Sequence, residues 1–335
     1  GSVEAAKSAV SCCRWLAENI VEDKIPNAFA LVRPPGHHAD RYSACGFCLF
    51  NNAAQAAEAA FNFGADRMSY KTGCGDADYM AIHWNVLMPL AREFNPDFVI
   101  VSAGFDSCDG DPLGGMHLSP DAYSHIVYHL SALAHGKLLL LLEGGYNHSV
   151  QSVGVHRCLR VLCGYKPLPL TKLGPPKDRH HPTVFFEPPK DEEKENTGNI
   201  MQENLFKSEW TTIASAPAKM LLVHNGDSSK HYSTVEDDHP EVPARTQRIM
   251  AKLESCGLIS KCEVLLNERT ASDAELEAVH ERPYIQKMRR SAEMTDAELR
   301  ITEEGLNSIY LTRDTFSIAS RSVGAVLEIA MEVCE

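Results

Sequence analysis

Three short apolar runs constrain this chain more than any other feature. Residues 28–32 (AFALV), 97–102 (DFVIVS) and 137–142 (KLLLLL) each end abruptly in polar or glycine-rich sequence. Runs this short, without polar alternation, suit strands buried on both faces, which belong to parallel sheets. Helical stretches lie around them: residues 3–20, the alanine-rich 52–63, then 76–94 and 120–135. Strands alternating with helices of this length make βαβ units, so the spacing predicts an α/β fold with a mainly parallel sheet. In such sheets ligands bind beyond the carboxyl ends of the strands. His37, His38, Asp106 and Tyr146 all fall there.

A chain of 335 residues suffices for two domains, or for one large α/β domain with additions. The net charge of −13 argues against a nucleic-acid groove, which needs a basic surface. Acidity suits a basic protein or peptide partner as well as simple solubility. Eleven irregularly spaced cysteines read as reduced thiols, which places the protein inside the cell, in cytoplasm, nucleus or both. Leu138–Leu142 is far too short to span a bilayer, so no membrane partner is expected. The chain starts Gly-Ser, and its first residue is not read as a natural start.

Residues 167–218 break the alternation. Proline is dense from 164 to 219, and KDEEKENTGN (190–199) is strongly polar, so this span reads as a disordered linker. Beyond it, residues 219–225 (KMLLVHN) start a new strand, 242–257 form a helix closed by Gly257, and CEVLLNE is a further strand. Ser272 followed by Glu275 makes a capping box. The apolar, alanine-rich start at 1–10 is echoed at 323–333.

Each of these residues admits more than one reading. Adjacent histidines suit proton transfer near neutral pH, or a surface residue beside a satisfied core group. Asp106 suits a cation ligand or a loop cap. Tyr146, after two glycines, suits a phenol aimed at a developing oxyanion or a half-buried packing residue. Cys45-x-x-Cys48 suits a redox pair, half a metal site, or structural packing.

Together, RPPGHHA, GFCLFNN, SAGFDS with GDPLGG, and LEGGYN closely resemble the zinc-dependent histone deacetylases, specifically the class II type with tandem catalytic domains. DDHPEVPARTQRI (237–249) resembles the start of such a domain equally well. The resemblance implies a three-layer arginase/deacetylase-like α/β fold. It divides the chain into the later part of one deacetylase domain (1–166), the linker (167–218), and the early part of a second (219–335).

The resemblance also assigns roles. His37 and His38 match the pair that activates water at the zinc and protonates the leaving lysine amine. Asp106 matches one zinc ligand, and Tyr146 matches the tyrosine that polarises the acetyl carbonyl. Gly36, Phe47 and Gly145 match the acyl-lysine tunnel, and Arg245 resembles the arginine of the cavity at its foot. Leu113 stands where polyamine-specific relatives carry glutamate, which favours acetyl-lysine on charge grounds. The implied cofactor is Zn2+, and the implied partners are acetylated proteins such as histone tails or tubulin.

One departure matters. The family's Asp-x-Asp-x-His-His-Gly strand, which supplies two further zinc ligands, does not occur between GFCLFNN and GCGDADYM. A catalytic zinc normally keeps three protein ligands and one open position. The departure predicts weak zinc binding and weak or absent turnover, leaving a silent acyl-lysine-binding module or a fragment without function as the alternatives. Asp76 and Asp78 form an Asp-x-Asp, but helix capping is the expected role for both. The two partial domains are expected to pack as one circularly permuted unit, leaving a sheet edge exposed.

Overall fold

In a computed structural model the described residues are 27–60, 73–170, 220–224, 229–233, 239–266 and 271–313. Five strands form one all-parallel sheet: β1 Asn27–Leu31, β2 Val99–Ala103, β3 Leu138–Leu142, β4 Met220–His224 and β5 Cys262–Leu266. Their order is β2-β3-β1-β4-β5. Strand β1 sits at the centre, pairing Phe29 with Leu140 on one side and with Leu222 on the other. The segments before and after the proline-rich span therefore share a sheet.

Alternation of side chains explains the two cores. Phe29, Leu31, Leu138, Leu140, Leu142 and Leu222 face one layer, where they meet Val127, Val155, Leu159, Ile249 and Leu253 from the helices. Ala28, Ala30, Leu139, Leu141, Leu221 and Val223 face the other, against Ala53 and Ala56. All five leucines of β3 are buried, as a strand covered on both faces requires. Edge strand β2 is more open, with Val99, Ile100 and Val101 only partly buried.

The helices are α1 Asn52–Ala60, α2 Asp76–Ile82, α3 Met88–Phe94, α4 Pro120–Leu130, α5 His148–Leu162, α6 Ala244–Ser255, α7 Asp273–Glu277, α8 Arg282–Arg290 and α9 Asp296–Glu304. The helix expected over 76–94 forms, with one π turn at His83–Leu87 between α2 and α3. Pro89 follows that turn; it has no N–H for an i→i−4 bond, and the helix widens just ahead of it. The helix expected over 120–135 stops at Leu130, because Ala134, His135 and Gly136 take positive φ to turn the chain into β3. Helix α5 has no counterpart among the sequence expectations. Its Asn147 cap accepts from the Val150 N–H, and Val155, Cys158, Leu159 and Leu162 lie in the core.

The Ser272–Glu275 capping box is present. Asp78 accepts the Gly75 N–H and caps the start of α2, as expected, but Asp76 instead holds the backbone N–H and hydroxyl of Ser119, 43 residues on, and so ties the start of α2 to the start of α4. The helix expected over 3–20, the echo at 323–333 and residues 171–218 of the expected linker lie outside the described residues.

Candidate active site

The chain ends β1 at Leu31 and reaches His37 through Arg33-Pro-Pro-Gly36. Gly36 is required by space: a Cβ there would lie 2.4 Å from the Asn52 backbone nitrogen. The two histidine rings lie 4.0 Å apart. His37 Nδ1 is 2.8 Å from Oε2 of Glu143, and the same oxygen accepts the backbone N–H groups of Gly36 and His37. Glu143 is buried and directly follows β3, so two adjacent strand ends build this pair. The sequence reading passed over Glu143; its signal is a carboxylate placed directly at the end of a wholly buried strand.

Below His38 the chain folds into a tight turn. Cys45 and Cys48 exchange backbone hydrogen bonds, and Gly46 and Phe47 between them both take positive φ, at 51° and 67°. Phenylalanine is strained in that region. The Asn307 and Ser308 carbonyls accept the Gly46 and Phe47 N–H groups, so the late segment of the chain pins the turn. The result sets the Phe47 ring edge-on to Tyr146 at 5.5 Å and to His239 at 4.9 Å. It also points the buried Cys48 thiol at His37 and Glu143, with the three ligand atoms within 4.8 Å of one another.

Tyr146 is fixed by its surroundings. Its backbone N–H donates to Asp111 Oδ2 at 2.7 Å, and the Arg245 guanidinium lies 5.0 Å over its ring. Arg245 also donates to the carbonyls of Gly145 and Glu143, to the latter at 2.5 Å. Burial pushes the Tyr146 phenol well above its usual range, so at neutral pH it is a hydrogen-bond donor. Leu113 lies on the loop beyond Asp111, 54% exposed, and is tied to Tyr146 through the Asp111 carboxylate.

Asp106 follows β2 and packs its carboxylate against Gly144, where a Cβ would sit 2.2 Å from Oδ2. Burial, then the charge of Asp111, raises its carboxyl above the usual value, while His37 and Arg245 oppose that. Among the described residues, no three-membered group of histidine, cysteine, aspartate or glutamate ligands contains Asp106. Residues 61–72 contribute to the sequence one carboxylate, Asp66, and neither histidine nor cysteine. Among the described residues, the groups around Asp106 therefore do not fit a three-ligand zinc site.

The histone deacetylase domain model matches residues 1–70, 65–162 and 239–335. The chain belongs to the histone deacetylase family. Members of this family are deacetylases, hydrolases of acetyl amides, and the parallel sheet described above is consistent with their α/β fold. Histone deacetylase 6 of Caenorhabditis elegans is 37% identical over 436 residues, covering 100% of this chain and 45% of that protein. Histone deacetylase 18 of Arabidopsis thaliana is 34% identical, over 48% of this chain and 33% of that protein. The polyamine deacetylase HDAC10 of Danio rerio is 33% identical, over 47% of this chain and 32% of that protein. A crystal structure of the HDA15 HD domain shares 34% identity, with a TM-score of 0.46, over 49% of this chain and 64% of that one. The chain spans less than half the length of the curated relatives named here. An alignment of 436 positions to a chain of 335 residues leaves positions in the nematode relative that have no counterpart here.

Proposed function

We propose that this site recognises acetyl-lysine side chains of proteins, histone tails or tubulin among them, in the manner of the class II tandem-domain, zinc-dependent deacetylases. The observation that carries the proposal is the convergence of three strand ends: the His37–Glu143 pair, Asp106, and Tyr146 facing Phe47. In this reading Phe47, Gly36 and Gly145 border the acyl-lysine channel. The Tyr146 phenol donates to the acyl oxygen, and Arg245 holds the Tyr146 backbone in place. His37 keeps a carboxylate partner able to stabilise its protonated form, and His38 stands beside it. Leu113 offers no negative charge to a polyamine.

In this reading recognition outlasts hydrolysis, because Asp106 has no companion set of zinc ligands among the described residues. The chain then acts as an acyl-lysine-binding module with weak turnover or none. The test is an acetyl-lysine peptide titrated into the purified chain, with turnover followed at added zinc. Binding of the acetylated peptide over its unmodified counterpart, with little turnover, is the expected result. Equal binding of both peptides overturns the proposal. Full turnover with zinc at Asp106 restores the family's complete reaction to this chain and removes the silent reading.

A further inference from the structure

The Cys48 side chain has no part in acyl-lysine recognition, yet it is fully buried and aimed at a histidine and a carboxylate. From this cluster we propose a metal site of a composition distinct from the family's zinc set: His37, Cys48 and Glu143, binding one borderline-soft divalent cation such as Zn2+.

The donor chemistry is suitable. Imidazole nitrogen, thiolate sulfur and carboxylate oxygen are the three ligand types zinc takes from proteins, and three of them leave a fourth position open. The ligand atoms already lie within 4.8 Å of one another. Tetrahedral zinc with bonds of about 2.0–2.3 Å holds its ligands roughly 3.3–3.7 Å apart. His37 Nδ1 and Glu143 Oε2 are closer than that, at 2.8 Å, so the ion replaces their hydrogen bond with a small opening of the pair. Two of the three side chains are buried and His37 is one third exposed, which gives the ion a way in.

The surroundings hold the donors in place. Cys48 is locked by the turn that the Asn307 and Ser308 carbonyls pin. Glu143 is held by the Gly36 N–H and the Ser102 hydroxyl. The His38 backbone N–H donates to the Cys48 sulfur, an interaction that favours the thiolate. Burial, then the Glu143 charge, opposes this and keeps the metal-free thiol protonated. Binding therefore transfers the thiol proton to solvent, moves the His37 proton from Nδ1 to Nε2, and replaces the Nδ1–H···Glu143 hydrogen bond with bonds from the metal to sulfur, nitrogen and carboxylate oxygen. Asp106 is not among the donors, so this site and the family's set share no ligand.

The experiment uses the full chain stripped of metal, with Co2+ as the spectroscopic probe and Zn2+ as competitor. One equivalent of Co2+ with an intense near-ultraviolet thiolate band, displaced by Zn2+, is expected. Cys48→Ser abolishes the band and Glu143→Gln weakens binding by more than the roughly 10–100-fold that loss of an outer partner causes. Asp106→Asn leaves it intact. In the unmodified chain, X-ray absorption at the zinc edge shows one sulfur among otherwise nitrogen and oxygen ligands; this readout needs no variant to fold. A Co2+ spectrum without a thiolate band, a zinc shell without sulfur, or binding abolished by Asp106→Asn overturns the proposal. Peptide binding is measured separately, so failure here leaves the acyl-lysine reading independent.

Discussion

Arg33 and Glu241, 208 residues apart in the chain, form a fully buried bidentate ion pair with both N···O distances at 2.5 Å. Arg245 Nη1 and the Tyr310 hydroxyl donate to the same carboxylate, at 3.0 Å and 2.9 Å. One carboxylate thus joins the loop after β1 to helix α6 and to the segment that packs under Phe47. Buried pairs of this kind contribute modestly to net stability, but breaking one side leaves an uncompensated charge.

Glu241→Gln is therefore expected to destabilise the chain by about 3–5 kcal/mol, read by urea unfolding. Burial alone would raise the Glu241 carboxyl, but the charge and hydrogen bonds of Arg33, aided by His231 and Arg245, hold it far below the ordinary range. A depressed carboxyl stabilises fully above its unfolded pKa, about 4.3, and loses that contribution as pH falls below it. Unfolding free energies for the variant and the parent should converge below that pH. A constant difference down to strongly acidic pH would contradict the assignment.

Buried histidines set a second acid sensitivity, at higher pH. Burial lowers His83 to about 4 and His129, further opposed by His83 and His125, to about 2. Both are protonated near 6.5 once unfolded, so their neutral burial favours folding above that pH and is lost as pH falls. Each group is expected to remove about 1.4 kcal/mol per pH unit between 6.5 and 4. Thermal melting across this range should be steep for the parent and shallower for His83→Phe combined with His129→Leu.

Tyr146→Phe removes one hydroxyl from a ring held by Phe47 and Arg245. A lost hydrogen bond of about 0.5–1.5 kcal/mol weakens acetyl-lysine peptide binding roughly 2- to 10-fold. The melting temperature should stay close to that of the parent, because both ring contacts remain. Calorimetric titration and a thermal melt on the same sample separate the two effects.

Gly114 is required by backbone rather than by side chains. A Cβ there would fall 1.7 Å from the Asp106 carbonyl oxygen, which cannot move without moving the strand end. Gly114→Ala is expected to cost about 1–3 kcal/mol or more. Gly305→Ala is the control: its φ is −82° and its nearest contact would be 3.6 Å. Equal stability of the two variants in urea would refute the steric argument.

The sequence by itself determined the layers and the rim. The unbroken apolar runs at β1 and β3 match burial on both faces, whereas the run at β2, read the same way, lies at a sheet edge and stays partly open. All three runs still set His37, Asp106 and Tyr146 just past strand ends. Local capping was equally readable, since Ser272 with Glu275 involves only neighbours in the chain. Helix α5 was harder: its Asn147 cap lies just after the glycine pair of LEGGYN, and glycines obscure a helix start.

Only the tertiary structure decided who meets whom. Glu143 reaches His37 because β3 and β1 are adjacent, a pairing that no spacing in the chain encodes. Arg33 finds Glu241, and the Phe47 turn finds Asn307 and Ser308, across more than half the chain. Apolar burial is additive along a strand and so leaves a local pattern. A buried ion pair or a pinned turn depends on two distant segments arriving together, and its cause lies in the pairing itself.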